Sequence, residues 1–401
     1  MKIGFFTDTY FPQVSGVSTS IRILKEELEA LGHEVYIFTT TDPNVKDVEP
    51  GIFRMPSIPF VSFKERRIIV RGMLYAYYIA KEIGIDLVHT HTEFGLGILG
   101  KQTAKSLGIP CIHTYHTMYE DYLHYIAKGK IIRPSHVRQL SKLYTSHLSG
   151  IVCPSERVEK KLLEYGIDRP MAIIPTGVKV GQFTSVPAEE TKEIRDTYGI
   201  KEDDVLFLSV SRISYEKNIQ AVLKGMPTVK ENIPNVKLLI VGDGPYKGKL
   251  EALVEELSLS DTVIFTGEIE NEKISPFYQA ADYLVSASDS ETQGLTYTES
   301  MAARTKVIAK GNDYLNHLLN DISLGMTYLD DEDFAGAAVD YVTRDVPNNP
   351  VILDKKLYDI SSQAFGKRME EFYEETIKYY EDGNQDLTDI ESAYSLKLFK
   401  K

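Results

Sequence analysis

Apolar and polar positions follow two different periods along the first half of the chain. Residues 2–7 and 33–39 are short apolar runs typical of buried strands, and residues 17–31 have apolar positions at helical spacing that stop at Gly32. This order predicts a βαβ unit, which requires a parallel sheet with helices packed outside it. The same pattern predicts a strand and its exit loop at residues 86–92, strands at 109–116 and 150–154, and helices at 97–107 and 155–165, and residues 172–178 close the first half.

A polar stretch, residues 179–203, interrupts this pattern before it restarts. Further strands are predicted at residues 205–210, 236–241, 262–267 and 281–285, with helices at 219–230 and 295–303. We therefore predict an α/β fold of two Rossmann-like parallel-sheet domains that face each other across a cleft. The domains are predicted at residues 1–180 and 181–365, and a helix and tail at 366–401 are expected to return toward the first domain.

Composition supports a globular protein with two domains. A chain of 401 residues is too long for one small core, and 43% hydrophobic with 26% charged residues is typical of soluble proteins. Cys111 and Cys153 lie on apolar segments without metal-ligand spacing, which predicts buried thiols in a reducing compartment. Asp8 interrupts the N-terminal apolar run, and no later run reaches the length of a membrane span. We therefore expect a cytoplasmic protein.

The net charge of −13 is unevenly distributed. Residues 1–180 carry 22 Lys and Arg against 18 Asp and Glu, a balance of +4, whereas residues 181–401 carry 23 against 40, a balance of −17. Residues 61–142 hold 12 basic and 6 acidic side chains. Such a basic segment suits an anionic membrane surface or a nucleic acid, but no DNA-reading motif is present, so we expect no nucleic-acid partner.

Two carboxylates frame the exit of the predicted strand at residues 281–285. Glu291 lies in the turn after this strand, and Glu299 lies about one turn into the helix that begins near Gly294 and Leu295. Ionised carboxylates only accept hydrogen bonds, so two of them suit a ligand rich in hydroxyl groups. The free N–H groups of a helix start suit phosphate or sugar oxygens. The alternative is that Glu291 belongs to an ordinary acidic loop and Glu299 is a solvated helix residue. The same spacing would then occur without a ligand-binding site.

Arg212 and Lys217 lie in the loop after the predicted strand at residues 205–210, at an exit of the same sheet. A guanidinium fork and an ammonium group bind a diphosphate well, although two surface cations give the same sequence pattern. Taken with Glu291 and Glu299, they predict one ligand that presents phosphates to the cations and hydroxyls to the carboxylates. Such a ligand is a nucleotide sugar.

The predicted strand exits of the first half add further candidates. The loop after residues 2–7 has only Gly16 and lacks the G-x-G-x-x-G spacing, which weakens a nicotinamide-binding interpretation. His89 and His91 share a face of their strand, but no third ligand lies near them in sequence, so we expect no metal role. His116 ends another strand and is either a structural residue or a ligand contact. No cofactor is required by these residues, and Mg²⁺ on the phosphates is compatible with them.

Residues 291–299 resemble the paired-glutamate motif of the family 4 retaining glycosyltransferases, which have the GT-B fold of two Rossmann-like domains. The resemblance covers most of the chain and is supported by Arg212 with Lys217, by the Val-Gly-Asp-Gly-Pro run at residues 241–245, by His116 and by the loop at residues 12–16. It departs from the family pattern in three places. Ser15 precedes Gly16 where two glycines are usual, Gln293 replaces an aromatic residue, and Arg304 begins a segment where Gly-x-Pro is typical.

The resemblance implies a role for each matching residue. Glu291 is expected to bind the hydroxyls of the donor hexose and Glu299 the ribose of the nucleotide, while Arg212 and Lys217 hold the diphosphate beside the amides of Gly294 and Leu295. His116 is expected to contact the sugar from the other domain. The implied catalytic residues are therefore His116, Arg212, Lys217 and Glu291, and the implied substrate-binding residues are Gly16, Gly242, Gly294, Leu295 and Glu299.

Within the family, the chain is similar to bacterial diacylglycerol glucosyltransferases. The run at residues 114–125 and the basic segment at residues 62–71 carry this likeness. We expect the basic segment to be a helix whose cations and neighbouring apolar residues lie in an anionic headgroup layer, unless it is simply a solvated basic helix. The membrane-docking residues predicted in this segment and in a second one are Lys64, Arg66, Arg67, Arg71, Lys128, Lys130 and Arg133.

These features predict transfer of glucose from UDP-glucose to diacylglycerol, with retention, by a protein bound peripherally to the inner face of the cell membrane. Other acceptors stay open, among them a glycosylated lipid, a phospholipid, a soluble sugar or a polysaccharide intermediate. A sugar-nucleotide epimerase of the same fold is a further alternative, and it would need no acceptor. The sequence does not decide between glucose and galactose as the donor sugar, and it leaves the oligomeric state open.

Overall fold

The computed structural model of the chain describes residues 1–13, 15–45, 49–60, 63–69, 73–120, 133–288, 290–291 and 293–383. This part of the chain divides into two compact units. Unit 1 contains Met1–Pro175 and the chain from Phe365 onward, and unit 2 contains Thr176–Ala364. Val178 belongs to unit 2 because it pairs with Ser361 and donates its N–H to the carbonyl oxygen of Ile360. The structure thus divides the chain at Pro175, where the sequence predicted residue 180.

Unit 1 is built on a parallel sheet of seven strands. The strands of the unit are β1 (Lys2–Phe6), β2 (Glu34–Thr40), β3 (Ile52–Met55), β4 (Ser57–Phe60), β5 (Phe63–Ile69), β6 (Leu87–Thr90), β7 (Cys111–Thr114), β8 (Gly150–Cys153) and β9 (Met171–Ile173). Seven of them form the sheet in the order β3-β2-β1-β6-β7-β8-β9, and β4 pairs with β5 in a separate antiparallel hairpin. The helices that connect the strands are α1 (Gly16–Ala30), α2 (Met73–Ile83), α3 (Gly95–Leu107), α4 (Pro134–Thr145) and α5 (Glu156–Glu164).

The unit 1 sheet has an apolar core on each face. Successive side chains of a strand point to opposite faces, and accordingly Phe5 and Phe6 of β1 belong to two different clusters of buried residues. All four residues of β6, of β7 and of β8 are buried, as expected for parallel strands covered on both sides. Cys111 and Cys153 are free, buried thiols within this region, which confirms their predicted burial.

Unit 2 repeats this plan with six parallel strands. They are β10 (Val205–Val210), β11 (Val236–Val241), β12 (Val263–Gly267), β13 (Tyr283–Ser286), β14 (Lys306–Lys310) and β15 (Gly325–Tyr328), in the order β12-β11-β10-β13-β14-β15. The helices of the unit are α6 (Val180–Thr184), α7 (Ala188–Thr197), α8 (Ile219–Asn232), α9 (Lys247–Glu256), α10 (Ser275–Ala280), α11 (Leu295–Ala302), α12 (Asp313–Leu318), α13 (Phe334–Arg344) and α14 (Pro350–Asp359). Phe207 packs on one face of the sheet, and Leu206 and Leu208 pack on the other. The prediction of two Rossmann-like parallel-sheet domains is therefore confirmed.

The last described helix, α15 (Ser362–Glu381), begins in unit 2 and continues in unit 1. Its Phe365, Met369, Phe372 and Tyr373 are buried in the same cluster as Ile3 of β1. An aromatic pattern at helical spacing thus makes α15 part of the unit 1 core.

The basic segment at residues 62–71 does not form the predicted helix. Residues Phe63–Ile69 form strand β5, which pairs with β4, and the helix α2 begins only at Met73. Arg67 donates hydrogen bonds from Nε and Nη2 to Oγ and the backbone oxygen of Ser57, at 2.9 and 2.8 Å. This hairpin pairing with the preceding strand overrides the local helical pattern. No helix in the described part of the chain combines the length and the apolar character needed to cross a bilayer.

Candidate functional site

The unit 2 sheet reverses its strand order between β10 and β13. Strands β11 and β12 lie on one side of this point, and β14 and β15 lie on the other. Loops that leave β10 and β13 diverge here, and the crevice between such loops is the usual ligand site of an open parallel sheet. A pocket occupies this position, lined by Ser209, Val210, Ser211, Lys217, Leu284, Val285, Ser286, Ser288, Glu291 and Thr296. The structure thus brings Lys217 and Glu291 together, as their positions at two strand exits predicted.

An ion pair lies in this pocket. The Nζ of Lys217 is 2.6 Å from Oε1 of Glu291, and the two side chains are 17% and 18% exposed. Lys217 ends a short 3-10 turn, and Asn218 after it has φ 52°, in the left-handed region. A partly buried pair of this kind holds a cation and a carboxylate in fixed positions. An ammonium group suits phosphate oxygens, and a carboxylate suits hydroxyl groups.

The Lys217 turn is fixed by residues that the sequence analysis did not identify. The side-chain amide of Asn218 donates a hydrogen bond to Oδ2 of Asp331, at 2.9 Å, and Nζ of Lys310 is 2.9 Å from Oδ1 of the same carboxylate. Asp331 therefore joins the turn after β10 to the end of β14. Asn218 and Asp331 are separated by 113 positions in sequence, which explains why no local pattern predicts this contact.

Gly294 caps the start of α11 and has φ +77°. A Cβ atom at this position would lie 2.4 Å from Cε2 of Tyr297, so the backbone conformation and the packing both require glycine. The N-cap residue, Gly294, has no side chain to cap the helix, and the first N–H groups of α11, beginning with that of Leu295, are suited to an anionic oxygen.

Glu299 is one turn into α11, and its Oε2 accepts a hydrogen bond from the hydroxyl of Tyr278 at 2.6 Å. Burial raises the pKa of Glu299, while the hydrogen bond from Tyr278 opposes that rise. A carboxylate has about four acceptor positions. The contact with Tyr278 therefore orients Glu299 and leaves it able to accept further hydrogen bonds.

Arg212 and Gly242 belong to two loops that pack on each other. The N–H groups of Ser211 and Ile213, on either side of Arg212, donate to the carbonyl oxygens of Val241 and Asp243. Arg212 itself is exposed and does not line the pocket. The N–H of Gly242 donates to the carbonyl oxygen of Gly267 at 2.8 Å, so this N–H is already used within the fold. A substrate contact for either residue stays a prediction.

The candidate residues of unit 1 lie after β1, β6 and β7. Nε2 of His116 is 3.1 Å from Nδ1 of His91, and the two rings are stacked with centroids 5.4 Å apart. His91 is 2% exposed, whereas His116 keeps part of its surface exposed. His89 lies on the other side of His91, with ring centroids 4.1 Å apart, which confirms that His89 and His91 share a face. The described residues contain no group of three or more His, Cys, Asp or Glu arranged to hold a metal ion.

Burial of these histidines gives the free energy of unfolding a pH dependence. Burial lowers the pKa of His89 and His91 well below 6.5, and it lowers the pKa of His116 to about 3. Below pH 6.5 the unfolded chain binds protons that the folded chain does not, so the free energy of unfolding falls as the pH falls, by about 1.4 kcal/mol per pH unit for each histidine. We expect urea unfolding to show this loss between about pH 6.5 and pH 5. In a His91→Asn variant the free energy of unfolding should fall less steeply with decreasing pH than in the wild type. Equal slopes would contradict the lowered pKa of His91.

Three departures from the family pattern have local explanations. Ser15 is the N-cap of α1 and shares reciprocal hydrogen bonds with Ser18, so a hydroxyl replaces the usual glycine next to Gly16. The side-chain amide of Gln293 makes two 2.8 Å hydrogen bonds with the backbone N–H and carbonyl oxygen of Thr176. Arg304 has φ +64°, the conformation that a glycine adopts more easily.

The predicted membrane-docking residues are only partly within the described structure. Lys64 and Arg66 lie on β5 with Arg67, and Arg133 is exposed at the start of α4. Arg71, Lys128 and Lys130 lie outside the described residues. The structure also exposes large apolar side chains, namely Leu74, Tyr75 and Tyr78 on α2, Phe94 and Ile98 at the start of α3, and Leu140 and Leu143 on α4. Leu74 and Tyr75 are among the apolar neighbours expected beside the basic segment.

Two family models match the chain in succession. The model described as Glycosyltransferase Family 4 matches residues 14–182, and the one described as Glycosyl transferases group 1 matches residues 190–327. Together they cover more than half of the chain, which belongs to the family 4 glycosyltransferases. The predicted family and enzyme class are confirmed.

Two relatives and one solved structure are similar to most of the chain. The chain is 50% identical over 380 residues to alpha-monoglucosyldiacylglycerol synthase from Streptococcus pneumoniae, covering 94% of this chain and 86% of that protein. It is 32% identical over 381 residues to the protein of the same name from Acholeplasma laidlawii, covering 92% and 94% of the two chains. The crystal structure of Anabaena HepE in complex with UDP superposes with a TM-score of 0.75 at 14% identity, over 94% of this chain and 100% of that one. This last likeness supports the fold alone.

Proposed function

We propose that this protein transfers glucose from UDP-glucose to the free hydroxyl of diacylglycerol and forms alpha-monoglucosyldiacylglycerol. The observation that carries the proposal is the 50% identity, over 94% of the chain, to a protein named alpha-monoglucosyldiacylglycerol synthase. The chemistry of the unit 2 pocket is consistent with a UDP-sugar donor, because it combines a cation, a carboxylate and a helix start with glycine at its N-cap.

In the donor site, the diphosphate is the leaving group and gains negative charge as the bond to the anomeric carbon breaks. We assign Lys217, Arg212 and the amides of Gly294 and Leu295 to the stabilisation of that charge. Glu291 accepts hydrogen bonds from the hexose hydroxyls while its other oxygen orients Lys217, and Glu299 binds the ribose.

The transfer exchanges one bond for another at the anomeric carbon. The bond from this carbon to the diphosphate oxygen breaks, a bond to the acceptor hydroxyl oxygen forms on the same face, and the acceptor proton passes to a phosphate oxygen of the leaving group. UDP and the glucosylated lipid are the products. No side-chain nucleophile is assigned, and His116 is assigned to a hydrogen bond with the sugar.

The acceptor is a membrane lipid, so the enzyme has to work at a bilayer surface. We propose that unit 1 makes this contact through the exposed apolar residues of α2 and α4, together with exposed Arg133 and the predicted basic residues around them. Aromatic and aliphatic side chains beside cations are suited to an anionic headgroup layer. The proposed location is the inner face of the cell membrane, where UDP-glucose is available.

The direct test is mass spectrometry of lipids after incubation of the purified protein with UDP-glucose and liposomes that contain diacylglycerol and an anionic phospholipid. We expect a monohexosyl-diacylglycerol product, and no product from a Glu291→Ala variant. UDP release with a glycosylated lipid but not with diacylglycerol would overturn the acceptor assignment and leave the donor site intact. Turnover of UDP-glucose without any acceptor would instead favour an epimerase or a hydrolase.

A further inference from the structure

We propose that His91 is a positioning residue that sets the tautomer of His116, so that His116 presents an Nδ1–H donor to an oxygen of the bound sugar. This inference rests on the proposed function for the sugar contact of His116, whereas the tautomer itself follows from contacts within unit 1.

The two imidazoles share one hydrogen bond between Nδ1 of His91 and Nε2 of His116, at 3.1 Å. Exactly one of these nitrogens can carry the bridging proton when both rings are neutral. Both rings are neutral near pH 7, because burial lowers the pKa of each well below that pH. The pair therefore has two arrangements, which differ in the tautomer of both residues.

The far side of the His91 ring decides between the two arrangements. Its Nε2 is buried and has no hydrogen-bond partner in the described part of the chain. If His116 donated the bridging proton, this Nε2 would carry an N–H with no acceptor. Buried N–H groups left without an acceptor are rarer than buried acceptors left without a donor. The favoured arrangement has the proton on Nδ1 of His91 and a bare Nε2 on the same ring.

This arrangement fixes the chemistry of His116. Its Nε2 accepts the bridging hydrogen bond, so its proton must lie on Nδ1. Among the described residues Nδ1 of His116 has no hydrogen-bond partner, and the side chain keeps part of its surface exposed. An N–H in that position donates to a hydroxyl or other oxygen of a sugar. The opposite tautomer would offer only a lone pair there.

The surroundings of His91 hold its ring in place. The ring of Phe5 packs against it edge to face at 4.8 Å between centroids, and the ring of His89 contacts it at a tilt of 32°, with centroids 4.1 Å apart. His89 is fixed in turn, because its Nδ1 is 2.7 Å from the hydroxyl of Tyr373 and its Nε2 is 2.7 Å from Oγ1 of Thr114. Helix α15 therefore supports the histidine pair through Tyr373.

Three variants at one position test the proposal. In His91→Asn the side-chain amide N–H₂ takes the place of Nδ1–H, whereas in His91→Gln it lies one bond further out, and His91→Leu has no donor. We expect His91→Asn to retain most of the wild-type activity and the other two to lose roughly 10²-fold in kcat. The KM for UDP-glucose should change little, because the proposed diphosphate contacts lie in unit 2. Equal losses in the Asn and Gln variants would overturn the proposal.

A second measurement separates the inference from the proposed function. The ¹⁵N NMR shifts of selectively labelled histidines distinguish the two neutral tautomers, and a His116→Asn variant identifies the signals of His116. In the wild type we expect His116 to have only the Nδ1–H tautomer. In His91→Leu we expect that this tautomer is no longer the single form. An Nε2–H tautomer of His116 in the wild type would overturn the inference even in an active enzyme. Absent transfer with an Nδ1–H tautomer would instead count against the proposed function.

Discussion

Replacement of Lys217 by alanine is expected to reduce kcat/KM for glucosyl transfer by about 10²–10³-fold, the usual effect of removing one group that stabilises a developing negative charge. The loss has a second source. Glu291, whose side chain is 18% exposed, would keep its charge without the cation 2.6 Å away. The measurement is the initial rate of lipid glucosylation at varied UDP-glucose, with circular dichroism to verify folding.

A matched control for this experiment is Lys230→Ala. Lys230 is also in unit 2 and forms an ion pair with Asp261 at 2.7 Å, but these side chains are 33% and 67% exposed, and a solvated pair contributes at most about 1 kcal/mol. Lys230 lies on α8 and does not line the pocket, so the Lys230→Ala variant should be as active as the wild type. If Lys217→Ala keeps more than about a tenth of the wild-type rate, the charge-stabilising role assigned to Lys217 is wrong.

The combined variant Lys217→Ala, Glu291→Ala extends the same argument. Residues that share a hydrogen bond are expected to show non-additive effects, because each single change already disables the other partner. The double variant should therefore lose little more activity than the worse single variant. Additive losses would mean that the two side chains act on the donor independently.

The parallel strands were the most predictable part of this fold. Residues 205–210 and 236–241 were predicted as strands, and β10 and β11 have the same limits. A strand covered by helices on both faces is a continuous apolar run, which polar loops delimit clearly in the sequence. The βα order then fixes which loops share an edge of the sheet, so the meeting of Lys217 with Glu291 could also be predicted.

Two other features of the structure could not be predicted in this way. The segment that became β5 has cations between apolar ends, a pattern compatible with a helix, and only its pairing with β4 selects the strand. The network of Asn218, Asp331 and Lys310 has a different origin, since its side chains are far apart in sequence and meet only because the sheet brings the loop after β10 close to the end of β14.

The pair formed by His91 and His116 could be predicted in part. His91 and His116 lie at the ends of two predicted strands, and neighbouring parallel strands place their exits side by side. The sequence could therefore predict that these two histidines lie close together. The hydrogen bond between Nδ1 and Nε2, and the buried Nε2 of His91, depend on side-chain orientations that the sequence pattern does not contain.

The second large effect is expected from Gly242→Ala. Gly242 has φ +138°, and a Cβ atom there would lie 2.0 Å from the carbonyl oxygen of Ser211. Because that oxygen belongs to the backbone, only a shift of the loop can relieve the clash, and this loop carries Arg212. Backbone strain and overpacking each cost about 1–3 kcal/mol, so we expect a loss of roughly 3 kcal/mol in the free energy of unfolding. Calorimetry should show a lower Tm, and titration with UDP should show weaker binding.

Gly248→Ala separates this loop effect from the general effect of adding a methyl group. Gly248 lies six residues further on, in α9, and a Cβ atom there meets no atom within 4 Å. Alanine is the better helix former by about 1 kcal/mol, so this variant should be as stable as the wild type or slightly more stable, with unchanged UDP binding. Suppose Gly242→Ala lowers the Tm but leaves UDP binding intact. In that case the loop that carries Arg212 shifts while UDP stays bound equally well. The proposed contact between Arg212 and the diphosphate would then be wrong.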